Sequence, residues 1–388
     1  MRERMRIPDF ELEVFFGKHE FSAPHLLAQS DCEALSIAEL LALEPDPAGA
    51  REAFLQTRLG YAENDGKPEL RQAIARLYRN ADNDRVLVQT GAQEGIFSCL
   101  NVLLEKGDHV ICMFPAYQSL YEVARAVGCE LSFWRFRQTG QGWALDFDAL
   151  ESLLRPHTRA IVVNTPHNPT GYALSDAELR ALCALAAGRG IHVIADEVYK
   201  GLEDPDGSDE NAWHARPAIC ELYERGVSIG VLSKAYGLPG LRIGWAVSRD
   251  RGLLTAMSRF KNYLSICCAA PSEELALVAL CHAPAILARN RGIVRANLAL
   301  ADAFFARHAG LFTHNRPLAG PIGFHKIHID GPMEGFCERL AREAGVLLLP
   351  GSVYGMDEPY FRMGYGRKAV PEALAKFEEF LIENGFAG

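Results

Sequence analysis

The sequence predicts an α/β protein: a large domain with a mostly parallel sheet covered by helices, followed by a smaller α+β domain. Three observations carry this. Between about residues 50 and 285, short all-apolar runs alternate with helix-like stretches, the pattern of strands buried on both faces between crossover helices. Beyond residue 286 the runs become longer and mixed. The 388-residue length and 49% apolar content suit one large or two medium soluble domains.

In chain order, Val86–Thr90 reads as a strand, 92–105 as a helix, His109–Met113 as a strand and Ser119–Val127 as a helix. Ala160–Asn164 and Ile191–Ala195 are strands separated by the helical Asp176–Ala187, and Ser228–Leu232 and Ile243–Val247 follow. After these come a long helix over 288–309 and Phe324–Ile329, which alternates like a half-exposed strand. A helix at Met333–Ala344, extended runs at Val346–Pro350 and Tyr360–Met363, and a last helix over 371–384 complete the chain. The expected division is 49–285 for the large domain and 286–388 for the small one. Residues 1–48 lack a clean period and are expected to pack on the small domain.

The net charge of −9 argues against nucleic acid as a partner, because neutralising a phosphate backbone needs a basic surface. The ten cysteines show no C-x-x-C pair and sit mostly in apolar surroundings, so buried thiols in a reducing compartment are expected. No signal peptide and no membrane-length apolar run is visible, which makes the cytoplasm the expected location. His325 and His328 have the wrong spacing for one strand face, so no metal site is expected.

Four segments carry chemistry. Strand 228–232 ends in Ser233-Lys234, and a Gly/Pro-rich turn leads to Arg242. A lysine at the carboxyl end of a buried strand is desolvated, which lowers its pKa and frees the amine for a Schiff base. Arg242 offers a charge for a cofactor phosphate. Strand 191–195 ends in Asp196, placed to pair with a pyridinium nitrogen, and Tyr199 follows three residues later within reach of a ring oxygen. Asn164-Thr-Pro-His-Asn168-Pro-Thr-Gly171 places a side-chain amide after the next strand. Thr90-Gly91-Ala92-Gln93 opens a helix whose free N–H groups suit a phosphate. Tyr117, in Phe114-Pro-Ala-Tyr117, offers a ring to lie against a flat cofactor. Each residue alone also has an ordinary reading: a surface lysine, a helix-capping aspartate, a turn asparagine, a packing tyrosine.

Taken together, the order and spacing of these segments from about Tyr61 to Arg362 resemble the class I/II aminotransferases, fold-type I enzymes that use pyridoxal 5'-phosphate. The resemblance rests on Asn168-Pro-Thr-Gly171 and on Ser233-Lys234 with Gly240-Leu-Arg242-Ile-Gly244. It implies that Lys234 bonds the cofactor aldehyde, Asp196 holds the pyridine nitrogen, and Asn168 and Tyr199 bind the ring oxygen. It implies that Tyr117 stacks on the ring and that Ala92, Gln93, Ser233 and Arg242 surround the phosphate. Arg362 would grip the substrate α-carboxylate, which a planar guanidinium binds bidentately, with Asn168 beside it. Tyr61 would reach the active site of the partner in a homodimer. The implied activity moves an amino group between an L-amino acid and a 2-keto acid; a lyase or cyclase on the same scaffold is the alternative.

Two departures from the family pattern stand out. Val231 occupies the place of a phosphate-contacting serine, and Ala28-Gln-Ser30-Asp31-Cys32-Glu33 stands where a glycine-centred substrate loop is usual. A serine hydrolase is a poor reading of Gly226-Val-Ser228-Ile-Gly230, because a nucleophile elbow follows a strand and Ser228 begins one. No G-x-G-x-x-G follows a strand, which argues against a dinucleotide enzyme.

Overall fold

The structure, a computed structural model, describes residues 7–140, 142–203 and 216–386. Seven strands form the main sheet in the spatial order Val86–Gln89, Gly244–Ser248, Gly226–Val231, His192–Asp196, Thr158–Asn164, His109–Phe114 and Glu130–Arg135. Only Gly244–Ser248 runs against its neighbours. The strands Val86–Gln89, His109–Phe114, His192–Asp196, Gly226–Val231 and Gly244–Ser248 are buried along their whole length, and alternate residues of the interior strands feed two separate cores. Val110, Cys112, Val162 and Ile194 face one cluster, while Ile111, Met113, Ile161 and Val193 face the other. Two-sided burial is why these strands read as unbroken apolar runs rather than as alternations.

Ser119–Val127, Asp176–Ala187 and Met333–Ala344 are helices over the predicted residues. Ser175 and Glu178 form a capping box at the start of the second, which satisfies otherwise orphaned amides. The strand Glu130–Arg135 was not foreseen. It lies at the sheet edge with mixed exposure, so its sequence shows neither period.

A second, four-stranded sheet contains Phe312–Thr313, Ile322–Ile327, Tyr360–Gly364 and Leu349–Pro350 in that order. The half-exposed reading of Phe324–Ile329 is corrected here. Ile322, Phe324, His325 and Ile327 are all buried, because aromatic side chains cover both faces. His325 packs against Phe305, His314 and Phe361, and its Nε2 lies 2.6 Å from the Tyr365 hydroxyl. The thiol expectation also needs amendment: Cys281 is exposed and Cys267 half-buried, and the other eight are buried.

Residues 11–26 pack on this second sheet and its helices, whereas the helix Ile37–Leu41 packs on the helix Ala270–Cys281. His25 and Leu26 pair in parallel with Val346 and Leu347, and the helix Glu11–His19 buries Leu12, Phe15 and Phe16. Among the described residues no helix is long and apolar enough to cross a membrane.

Candidate active site

Five parallel strands end on one edge of the main sheet, where a doubly wound fold opens its crevice. After Val86–Gln89 come Gly91, Ala92 and Gln93; after His109–Phe114 comes Tyr117; after Thr158–Asn164 comes Asn168. His192–Asp196 ends in Asp196, and Gly226–Val231 leads into Ser233 and Lys234. The antiparallel strand Gly244–Ser248 starts at that same edge, which is why Arg242, just before it, returns to the crevice.

A cavity of about 290 Å3 occupies this edge. Its lining includes Ala92, Gln93, Tyr117, Asn168, Asp196, Tyr199, Ser233, Lys234, Arg242 and Arg362, together with Val231. Ten of the eleven residues expected from the sequence therefore meet in one space. The eleventh, Tyr61, is 91% exposed and does not line it.

Lys234 donates from Nζ to Ser30 Oγ at 2.9 Å. Part of its surface opens on the cavity, yet enough protein surrounds it that desolvation pulls its pKa below the usual lysine value. Arg362 adds to that pull, while Asp31, Glu13 and Asp196 oppose it. The Asp196 carboxyl is pushed up to about 7 by burial, against the Val198 amide it accepts at 3.2 Å and the charge of Lys234. No helix begins directly after Asp196, so the helix-capping role weighed from the sequence is absent; the bond to Val198 closes a turn instead.

Asn168 is fixed by three contacts. Its amide nitrogen in the backbone donates to Asn164 Oδ1 at 2.6 Å, and its own Oδ1 accepts from Tyr354 at 2.7 Å and from Arg362 at 3.2 Å. With the oxygen committed to two donors, the side-chain NH2 is the end left to donate. Arg362 is buried; it donates twice to Ala28 O, at 3.1 and 2.6 Å, and to the Tyr354 hydroxyl at 2.6 Å. Phe16 lies beneath its guanidinium.

The residues fit pyridoxal 5'-phosphate on three observations. A buried carboxylate with one weak partner calls for a cation, as a pyridinium nitrogen would be. Ser233 Oγ is buried without a partner among the described residues. Finally, a β-carbon at Gly91 (φ +79°) would lie 2.6 Å from Arg242 Nη2, so the guanidinium stands at the N-terminus of the helix Gly91–Leu103. Two positive features placed together repel each other unless an anion joins them. Val231, where a serine was missing, packs instead with Val198, Tyr199 and Ile322.

Sequence reasoning missed Leu12, Glu13, Phe16 and Glu20, which line the cavity from the N-terminal helix and the turn after it, and Tyr354. The spacing of Leu12, Phe15 and Phe16 is helical and was a usable signal; nothing local marks Tyr354. The segment flagged as unusual, 28–33, supplies Gln29 and Ser30 to the lining. Gly364 lets it approach, since a β-carbon there would come within 1.9 Å of Gln29 O. Ser228 of the G-x-S-x-G run is fully buried inside a strand and accepts the Cys220 amide, so it is no nucleophile elbow.

The sequence model of aminotransferase classes I and II matches residues 28–377. Capreomycidine synthase of Streptomyces vinaceus is 30% identical over 380 residues, covering 97% of this chain and 94% of its own. The crystal structure of a PLP-dependent aminotransferase from Streptococcus suis 89-1591 superposes with a TM-score of 0.90 at 33% identity, over 98% of this chain and 99% of that one. That of the PLP-dependent cyclase OrfR gives 0.88 at 31%, over 99% of both. With the sheet, the cavity and this likeness over nearly its whole length, the chain belongs to the class I and II aminotransferases, a family of pyridoxal-phosphate-dependent enzymes.

Proposed function

We propose that this enzyme carries pyridoxal 5'-phosphate on Lys234 and moves the amino group of an L-amino acid to a 2-keto acid. The observation that carries the reading is the meeting of Lys234, Asp196 and Arg362 in one cavity. When bound, the cofactor supplies an aldehyde that takes up amines and a ring that accepts the electron pair left on the α-carbon. The chain's own groups do the rest. Asp196 holds the ring nitrogen protonated, and Asn168 and Tyr199 donate to the ring oxygen. Tyr117 lies against the ring face. The Ala92 and Gln93 amides, Ser233 and Arg242 hold the phosphate, with no help from Val231. Arg362, with Asn168, binds the substrate α-carboxylate and so aims the α-hydrogen. Lys234, once released, carries that proton, and a positioned base is worth roughly 10²–10⁴-fold in rate.

We infer a homodimer in which the outward-facing Tyr61 reaches the partner's phosphate site; sedimentation should give a dimer. The ten free thiols suit a reducing cytoplasm.

The substrate side chain would be cationic. Glu13 and Glu20 line the cavity, and among the described residues they accept only from the neutral Tyr117 hydroxyl, at 3.2 Å, and the Gln29 amide, at 2.9 Å. In an absorbance titration of the holoenzyme, arginine, lysine or ornithine should bind more tightly than aspartate or glutamate. Glu13→Gln should weaken the cationic ligands roughly three- to fivefold, the scale of a solvent-accessible ion pair, and leave a neutral amino acid unchanged. Tighter binding of aspartate by the wild type would refute this.

A second reading is favoured by the two end-to-end likenesses to capreomycidine synthase and to the cyclase OrfR: closure of the substrate's own side chain into a ring, with no keto acid consumed. Product analysis separates the two. One keto acid formed per amino group transferred supports transamination, whereas a cyclic product made without an acceptor overturns it.

A further inference from the structure

We propose that Ser30 is the docking point of the Lys234 amine whenever that amine is not joined to the cofactor, and that it thereby sets the basicity and aim of the group. The inference rests on the reading of Lys234 as the cofactor lysine. It starts from the 2.9 Å hydrogen bond between Lys234 Nζ and Ser30 Oγ, which joins residues 204 positions apart. Ser30 is 6% exposed and lines the same cavity as Tyr199.

The serine is held where it is. Leu27 O accepts from the Gly364 amide at 2.6 Å, Ala28 O takes two Arg362 bonds, and the Glu33 amide donates to Gly366 O at 2.8 Å. Asp31 makes a two-pronged pair with Arg367, at 3.1 and 2.7 Å. The Cys32 amide donates to the backbone oxygen of Lys234 itself at 3.1 Å. Segment and lysine therefore grip each other at two points, backbone and side chain. Such over-determination fixes a hydroxyl to within the tolerance that proton transfer demands.

The charge balance around the amine defines the sign of the effect. Asp31 and Glu13 from the N-terminal region and Asp196 from the main sheet favour the ammonium; Arg362 from the second sheet and desolvation disfavour it. A hydroxyl that accepts from the ammonium adds to the first group, because a charge-assisted bond is stronger than a neutral one. Removing it leaves desolvation less opposed. The ammonium then loses its proton at lower pH, and the amine loses its fixed direction.

The test uses apoenzyme mixed with pyridoxal 5'-phosphate across a pH series. The rate of cofactor capture is read from visible absorbance, and the site of attachment from the peptide mass after borohydride reduction. Ser30→Ala should move the midpoint of the capture profile to lower pH by roughly 0.5–1 unit. Reconstituted Ser30→Ala should lose about tenfold in kcat with KM within twofold, the pattern of a misaimed base. Ser30→Thr, which keeps the hydroxyl, should recover the wild-type midpoint. Ser30→Cys, with a weaker acceptor of similar size, should fall between. Equal midpoints for wild type, Ala and Cys variants would overturn the role of Ser30 while leaving Lys234 as the labelled residue. A label on another residue would instead overturn the reading on which the inference rests.

Discussion

Lys234→Ala should lower kcat by at least about 10³-fold with saturating substrate and cofactor, because it removes both the covalent anchor and the base, and the base alone is worth roughly 10²–10⁴. The same variant should carry no pyridoxyl group after borohydride reduction. The expectation is specific because two other lysines are also buried. Lys261 is fully buried, but it donates to Asn64 O at 2.6 Å and Val88 O at 2.8 Å and closes a loop. Lys200 is 3% exposed and is tied to Arg216 O at 2.6 Å. Neither lines the cavity. Of the three, only Lys234 has access to the cavity, which nucleophilic capture requires. Retention of a reducible label by Lys234→Ala, on Lys261 or any other lysine, would sink the assignment.

What the sequence made legible follows from what local pattern encodes. The interior strands show as apolar runs because both faces are covered, and polar residues at or just beyond the ends of three of them reach the sheet edge. Lys234, Asp196 and Asn168 were therefore readable as strand-end residues before any geometry was known. Tyr117 and Arg242 were readable through the turns that carry them. The strand Glu130–Arg135 escaped because its own mixed exposure shows neither full burial nor clean alternation. Phe324–Ile329 misled because its histidine and lysine mimic an exposed face, although His325 is sealed by Phe305, Phe361 and Tyr365. The N-terminal wall of the cavity was the hardest part. Glu13 meets Tyr117 across 104 positions and Ser30 meets Lys234 across 204, and no periodicity reports contacts of that range. The departure at 28–33 from the usual glycine-centred loop was the one local sign that this wall is built differently.

Asp196→Asn should separate stability from function in opposite directions. In the protein without cofactor, burial raises the Asp196 pKa from the ordinary 3.8 to about 7. Between those values the folded state keeps a proton that the unfolded state has released, so stability falls as pH rises through the window and the full cost is present above it. Three pH units correspond to something on the order of 4 kcal/mol. Asparagine has no charge to desolvate and can still accept the Val198 amide. The cofactor-free variant should therefore melt at a higher temperature than cofactor-free wild type at pH 8. The gain should shrink at pH 5 and vanish near pH 4. With pyridoxal 5'-phosphate added, the order should reverse. Wild type then sets the carboxylate against a ring cation, which repays the desolvation, and the amide does not. Activity should fall roughly 10²–10³-fold, the usual effect of losing one preorganised electrostatic partner. Calorimetry of both proteins with and without cofactor, at the three pH values, checks every sign. A cofactor-free asparagine variant less stable than wild type at pH 8 would mean that Lys234 or another cation of the chain already repays the cost of burying the carboxylate. A ring nitrogen at that position would then have no physical basis, because a buried charge is retained against such a cost only where something that binds there needs it.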